Sequence, residues 1–506
     1  MLAIVNSVVL LGLEGHQVRV EVDISNGLPL FAIVGLPDTS VKEARERVRA
    51  AIKNSGFEFP LRRITVNLAP ADVKKEGPIY DLPIAVGVLA ASGQLQGGHL
   101  PDNLFMVGEL SLEGSLRPVP GALPMALALQ ESHPGSTLIV PAGNAQAAAL
   151  ATGIRVLAAS SLSQVLEFLK GHEELPRVLP EQGLNFSEPK AAVDLADIKG
   201  QDQAKRALEI AAAGGHNILL IGPPGTGKTM LARSLAGLLP ALTYEEALEI
   251  TKIYSAAGLL PAGQGLIRER PFRSPHHTAT LASMVGGGRI PRPGEVSLAS
   301  NGILFLDEIV EFRREVLEAL RQPLEERVVT VARAQAAVTY PANFLLVGSM
   351  NPCPCGYLGD AVRSCQCTQY QVAQYRKRLS GPLLDRIDLV VEVPRLEYRQ
   401  VERVQPGETS KQVRERIERA RGKQRERLAG EGLRCNAEMQ GPQVRRYCLL
   451  SPPARKLLQS AYNRLALSLR AYDRVLKVAR TIADLEGADE IKEQHLAEAL
   501  QYRLVF

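Results

Sequence analysis

The chain has no tryptophan, only six cysteines in 506 residues, and few aromatics, at 5%. It also lacks an apolar run of the about 18 or more uncharged residues that a membrane-spanning helix needs, so no contact with a membrane is expected. The shortage of cysteine excludes a disulfide scaffold. Four of the six sit close together, which points to a reducing compartment, the cytoplasm. A signal peptide is not expected either: the apolar start Met1–Leu11 has no basic segment before it and alternates into Arg19, Glu21 and Asp23, as a first strand does. A net charge of +5 is too small to announce a partner by itself, so the distribution of charge matters more than its sum. What remains, 45% hydrophobic and 22% charged, is an ordinary soluble composition on a chain too long for one core; roughly three domains are expected.

The strongest local signal is Gly222, Pro223, Pro224, Gly225, Thr226, Gly227, Lys228 and Thr229, leading into Met230. It follows the short apolar run His216–Ile221, which reads as a buried parallel strand, and opens a stretch to Leu239 with helical apolar spacing. In that setting G-x-x-x-x-G-K-[ST] is a phosphate cradle. Its glycines turn backbone N–H groups inward, and the helix N-terminus adds partial positive charge. Lys228 would reach the β- and γ-phosphates of ATP, and Thr229 would place its hydroxyl on Mg²⁺.

A second buried run, Gly302–Leu306, ends in Asp307 and Glu308. Open α/β sheets bind ligands at the edge where such strands end. Asp307 would hold Mg²⁺ through its water shell and Glu308 would orient or deprotonate an attacking water. The plainer alternative is an acidic strand end capping the next helix. A third run, Asn343–Met350, ends at Asn351. Directly after it come Cys353, Cys355, Cys365 and Cys367, able to offer four thiolates to a structural Zn²⁺. One-residue spacing within each pair is less usual than two, and four reduced thiols or a redox pair are the alternatives. His276 and His277 lack nearby ligand-type residues and read as loop or pore residues.

Basic side chains suggest where DNA could touch. The Gly286–Ala299 segment carries Arg289 and Arg292, and Arg327–Tyr340 alternates as a hairpin with Arg333 near its tip. Basic tips contacting phosphates bind without sequence preference and with strong salt dependence. Solvated arginines are the alternative. The mixed-charge run Lys411–Arg427 reads as a helix with a solvated or subunit-facing surface.

The first part of the chain, residues 1–170, reads as an α/β domain. Strands are expected at Val18–Ile24, Leu30–Val34 and Arg63–Leu68, helices from Asp38 through Ile52 and from Leu82 to Ala91, and a hairpin after Phe105. The stretch Met106–Gly121 resembles Lon-type protease domains, which use a Ser–Lys dyad. The position of that lysine holds Met125, and no serine lies around Glu76–Asp81. The resemblance therefore implies a scaffold facing DNA or the assembly, without proteolysis. Residues 171–193, polar with spaced prolines, read as a linker.

The phosphate cradle, Arg270–Thr280 with its two histidines and Gly286–Ala299 together resemble the ComM/YifB family of magnesium-chelatase-like AAA+ ATPases, over the whole chain. The resemblance implies an α/β chain of three parts. These are a Lon-protease-like (ribosomal S5 domain 2-like) domain at 1–170, an AAA+ P-loop NTPase core at 194–394 that carries the cysteine insert, and a helical C-terminal lid at 395–506. It implies that Asn351 is the sensor that positions water and that Arg386 is the finger reaching a neighbour's γ-phosphate. Arg474 is implied as the lid's sensor, with Arg470 as second choice. It further implies a homo-hexamer driving branch migration on single-stranded or branched DNA during uptake of foreign strands. A chelatase-type motor that remodels a protein partner for metal insertion is the competing expectation.

Overall fold

The computed structural model describes the chain except residues 72–73, 76, 96–99, 182–192, 289–290, 334–335, 397–406 and 504–506. The chain forms two compact units, Met1–Asn185 with Tyr244–Arg268, and Phe186–Thr243 with Glu269–Phe506.

The first unit is built on an eight-stranded sheet in the order β10-β9-β8-β5-β1-β2-β4-β3. Its strands are β1 (Leu2–Leu11), β2 (Glu14–Ser25), β3 (Leu30–Val34), β4 (Arg63–Ala69), β5 (Leu104–Met106), β8 (Thr137–Pro141), β9 (Arg155–Ala159) and β10 (Arg177–Val178). The expected hairpin after Phe105 is the separate pair β6 (Glu109–Leu110) and β7 (Leu116–Arg117). The helix Thr39–Asn54 starts where the Asp38 carboxylate accepts the Val41 N–H, and it buries Val41, Ala44, Val48, Ala51 and Ile52, the face its spacing predicts. The helix Asp81–Ala91 is buried at every residue, which its run of small and apolar side chains permits. Its Asp81 is clasped by the Arg47 guanidinium at 2.7 and 3.0 Å. Burial pushes this carboxyl up to about 6 against the pull of Arg47.

Two features of this unit differ from the sequence reading. β10, inside the segment read as a linker, pairs antiparallel with β9; two residues of ladder are too short to show as periodicity. The helix Tyr244–Ala257, which interrupts the predicted ATPase core, packs on the helix Ala122–Ser132, with the Gly121 N–H donating to the Ser255 carbonyl at 2.7 Å. Met125 lies in the core of this unit, 2% exposed.

The second unit holds a parallel sheet in the order β12-β13-β16-β11-β17: β11 (Ile218–Ile221), β12 (Phe272–Arg273), β13 (Ile303–Leu306), β16 (Leu345–Met350) and β17 (Leu389–Glu392). All residues of β11, β13 and β16 are buried, as expected of parallel strands covered on both faces. β14 (Val328–Arg333) and β15 (Ala336–Pro341) stand apart as an antiparallel hairpin. After β17 the described residues are mainly helical: Ser410–Arg427, Gly441–Tyr447, Pro452–Arg464, Leu469–Leu485 and Glu493–Gln501. The first of these is the helix that its mixed-charge run predicts, and one face of it is buried. Val413, Arg414, Ile417, Ala420 and Gln424 are buried. Arg416 pairs with Glu209 and Glu408, Arg427 pairs with Asp484, and Arg421 donates to the Ala212 carbonyl. Long arginine stems cover apolar surface while their heads find partners, so charge density alone misjudges burial.

Candidate functional site

Three buried parallel strands end side by side, and each delivers one part of the site. β11 sits where the chain reverses direction across the sheet, between β16 and β17, and the phosphate loop leaves its C-terminal end. A Cβ on Gly222 would lie 2.1 Å from the Val393 carbonyl oxygen, so only glycine fits. Gly225 and Gly227 take positive φ of 78° and 89°, and Gly227 opens the helix Lys228–Leu238. The Lys228 ammonium donates to the Gly222 and Pro223 carbonyls at 2.6 and 2.8 Å and to Asn351 Oδ1 at 3.3 Å. Burial lowers its pKa, opposed by Asp307 and Glu308. Such a partly desolvated cation is suited to a polyanion. Pro224, Gly225 and Met230 are exposed, and the Thr226 hydroxyl donates to the Pro223 carbonyl at 3.0 Å.

At the end of β13 the Thr229 hydroxyl donates to Asp307 Oδ2 at 3.2 Å, so the two predicted Mg²⁺ ligands already face each other. Asp307 Oδ1 accepts from the Ser349 hydroxyl and, at 3.2 Å, from the Glu308 N–H. Glu308 adopts φ 49°, ψ 48°, a left-handed conformation that costs a non-glycine residue about 1 kcal/mol or more. Its N–H, also 3.2 Å from Ser349 Oγ, is held in that turn while the side chain stays exposed. The reading of Asp307 and Glu308 as a helix cap does not describe this geometry: no side-chain cap is made there.

Ser349 is missing from the sequence reading. A serine in an apolar strand carries no signal until the strands are placed side by side. On the expectation that this site hydrolyses ATP, replacing Ser349 with alanine should lower turnover about ten- to a hundredfold, the rate equivalent of about 1.5–3 kcal/mol for a hydrogen bond to a charged group. Steady-state kinetics should place the loss in kcat with nucleotide affinity unchanged; a loss confined to KM would remove Ser349 from this role.

The predicted arginines lie elsewhere. Asn217, just before β11, donates from its side chain to the Arg386 carbonyl at 2.9 Å. Arg386 therefore sits at the N-terminal edge of the sheet, opposite the phosphate loop and roughly 15 Å from it at about 3.3 Å per residue. It is 8% exposed and donates to Glu325 and to the Arg321 and Pro382 carbonyls, so it pairs with neither Asp385 nor Asp388. Arg470 approaches the same Glu325 at 3.8 Å, and Arg474 approaches Asp388 at 3.6 Å while its Nη1 is buried without a hydrogen bond. Lys477 and Arg503 are close by: burial, then repulsion from Arg474, lowers Arg503, and burial lowers Lys477. Burial would raise Asp388, yet the hydrogen bond from His216 and the charge of Arg474 hold it well below the usual carboxylate range. One edge of the sheet thus bears the predicted phosphate cradle and the other a cluster of cations.

The two basic inserts meet. The Tyr340 hydroxyl of β15 donates to the Pro291 carbonyl at 2.8 Å, and Gly286 lies against Val331. Arg292 is exposed, on a loop closed by the bridge Gly287–Arg292. Arg333 occupies the last backbone pair of the hairpin, opposite Ala336; Arg289 lies outside the described residues. The rings of His276 and His277 touch at a tilt of 35°, with centroids 4.1 Å apart, and among the described residues they belong to no metal-type cluster.

The four cysteines do form one. Their sulfurs all lie within 4.8 Å of one another, with Cys353 buried and the others half-buried. Among the described helices none is long and apolar enough to cross a membrane.

Comparison with known proteins matches the family description "Magnesium chelatase, subunit ChlI" to residues 194–401, its C-terminal counterpart to 407–503, and "Subunit ChlI of Mg-chelatase" to 20–144. The chain is 49% identical to YifB of Salmonella typhimurium over 100% of its own length and 97% of that protein's. It is also 49% identical to the competence protein ComM of Haemophilus influenzae, over 99% and 97%. The 38 kDa magnesium-chelatase subunit of Cereibacter sphaeroides is 26% identical over 61% of this chain and 90% of its own.

Proposed function

Since the chain belongs to the ComM/YifB family of magnesium-chelatase-like proteins, we propose that it is an ATP-hydrolysing AAA+ motor. In this reading it assembles as a cytoplasmic homo-hexamer and moves single-stranded or branched DNA, shifting junctions when incoming strands recombine. The observation that carries the reading is the split site: a phosphate cradle at one sheet edge and Arg386 with Arg474 at the other. Neither half is a complete ATPase centre, and a ring brings the arginine edge of one copy to the cradle of the next. ATP would lie on the Gly222–Met230 loop, with Mg²⁺ held by Thr229 and Asp307; the metal, when bound, neutralises phosphate charge. Glu308 would take the proton of the attacking water, Asn351 would orient that water, and Arg386 with Arg474 would meet the γ-phosphate of the neighbouring copy. Cys353, Cys355, Cys365 and Cys367 would hold a structural Zn²⁺. The first unit, Lon-protease-like with Met125 in place of the lysine, would be a scaffold without proteolytic activity.

DNA as the track is supported by the competence relative and by the joined basic inserts carrying Arg292 and Arg333. ATP hydrolysis should rise when single-stranded or forked DNA is added. Binding should weaken steeply with salt, and Arg292→Ala and Arg333→Ala should each flatten the log K against log salt slope by about 1. Absence of DNA binding at low salt overturns this reading. It would favour the second one, a motor that remodels a protein partner for metal insertion, which the chelatase subunits' match supports over part of the chain.

A further inference from the structure

The cysteine cluster adjoins the nucleotide site at three points. Cys353 stands two residues after Asn351, and Asn351 Oδ1 accepts from Lys228. Gly356, next to Cys355, lies so close to the phosphate loop that a Cβ there would be 2.9 Å from Pro224 Cδ. After Cys367, Thr368 caps the helix Gln369–Arg376, whose buried Tyr375 lies beside the backbone of Asn351. The loop thus leaves Asn351 and its end returns to Asn351. Beyond that helix, Arg378 donates to Glu311, three residues from Glu308, at 2.9 Å.

The sulfurs are arranged for a metal. Cys353 lies 3.4 Å from Cys355 and 3.6 Å from Cys365, and Cys355 lies 3.6 Å from Cys365. A tetrahedral Zn²⁺ with bonds of about 2.3 Å spaces its sulfurs about 3.8 Å apart, close to these distances, whereas a disulfide needs about 2.05 Å. Such a loop has little core of its own. Val362 and Arg363 are exposed and tied by a local turn to Asp360, whose pairing with Arg395 is the loop's anchor at that point, so a bound metal would supply much of the remaining rigidity.

We propose that a Zn²⁺ held by Cys353, Cys355, Cys365 and Cys367 braces the phosphate loop and Asn351, making nucleotide affinity depend on the metal. The inference rests on the reading of Gly222–Met230 as the ATP site, and it requires neither DNA nor turnover. The test uses the full chain purified without chelator. Elemental analysis should find about one zinc per chain. Co²⁺ in its place should give the intense thiolate-to-metal absorption and the d–d bands of a tetrahedral four-sulfur site. Direct binding of a fluorescent, non-hydrolysable ATP analogue should weaken about tenfold or more after zinc removal and recover when zinc is returned. Gly356→Ala, which strains a turn at φ 86° and pushes on Pro224, should bind the analogue more weakly even in chains whose zinc, measured alongside, is full.

Two results overturn the proposal: no zinc in the purified chain and none taken up on titration, or unchanged analogue affinity after zinc is removed. If the analogue fails to bind the zinc-loaded chain at all, the ATP-site reading itself is lost, an outcome distinct from both. Reversible removal and return of zinc on the native chain decides the matter without any variant that could fail to fold.

Discussion

Glu308→Gln should bind ATP as tightly as the native chain and turn it over about 10²–10⁴ times more slowly, the usual share of a general base. The substitution keeps shape and removes the basic oxygen. Asp307 and Glu308 are adjacent carboxylates with different surroundings. Asp307 is occupied by Thr229, Ser349 and a backbone N–H, so it is committed to holding charge in place. Glu308 is turned out of the strand by its left-handed backbone and is exposed, free to meet a water on the phosphate side. Equilibrium binding of labelled ATP and single-turnover hydrolysis separate the two effects. Turnover at the native rate would remove Glu308 from the chemistry, and loss of binding would mean that it holds the site together instead.

Arg386→Ala should cost more, about 10³–10⁵ in turnover, by analogy with arginines that reach across to a transferring phosphoryl group. Since Arg386 stands at the wrong edge of its own sheet, the loss should be repaired by a neighbour. Arg386→Ala chains have an intact cradle and Lys228→Ala chains an intact arginine; each alone should be inactive. Mixed in equal amounts they should regain part of the native rate, because some contacts pair an intact cradle with an intact arginine. A mixture as inactive as its components would place the arginine's action within one chain or nowhere. The repair also guards against a trivial cause. Arg386 is buried and bound to Glu325, so its removal could loosen the fold, and a loosened chain would not complement.

The parts of the proposed ATP site were legible in sequence because they are local. Gly222–Thr229 is a contiguous motif, and strands ending in Asp307–Glu308 and Asn351 are apolar runs of the right length. The contact of Lys228 with Asn351 and of Thr229 with Asp307 follows once those strands lie parallel in one sheet. Ser349 was illegible because one hydroxyl in a buried strand has no periodicity to betray it. Glu325 was hidden for another reason: it is a surface-type residue at a helix end, and only the fold brings it to Arg386 and Arg470. The placement of Tyr244–Arg268 with the first unit and the burial of one face of Ser410–Arg427 are long-range packing outcomes. In the second, Arg414 donates to the Gly237 carbonyl at 3.0 Å, and Gln424 donates to that of Ala213 at 3.0 Å. Polar residues that satisfy buried backbone groups look identical, in sequence, to residues that face water.

In the proposed motor, ATP is split between two copies of the chain. The most direct measurement is hydrolysis per chain as a function of chain concentration, with saturating ATP and DNA, alongside the sedimenting mass. The rate per chain should climb with concentration and level off as the mass reaches that of six chains. A constant rate per chain, carried by a species that sediments as a single copy, would contradict it.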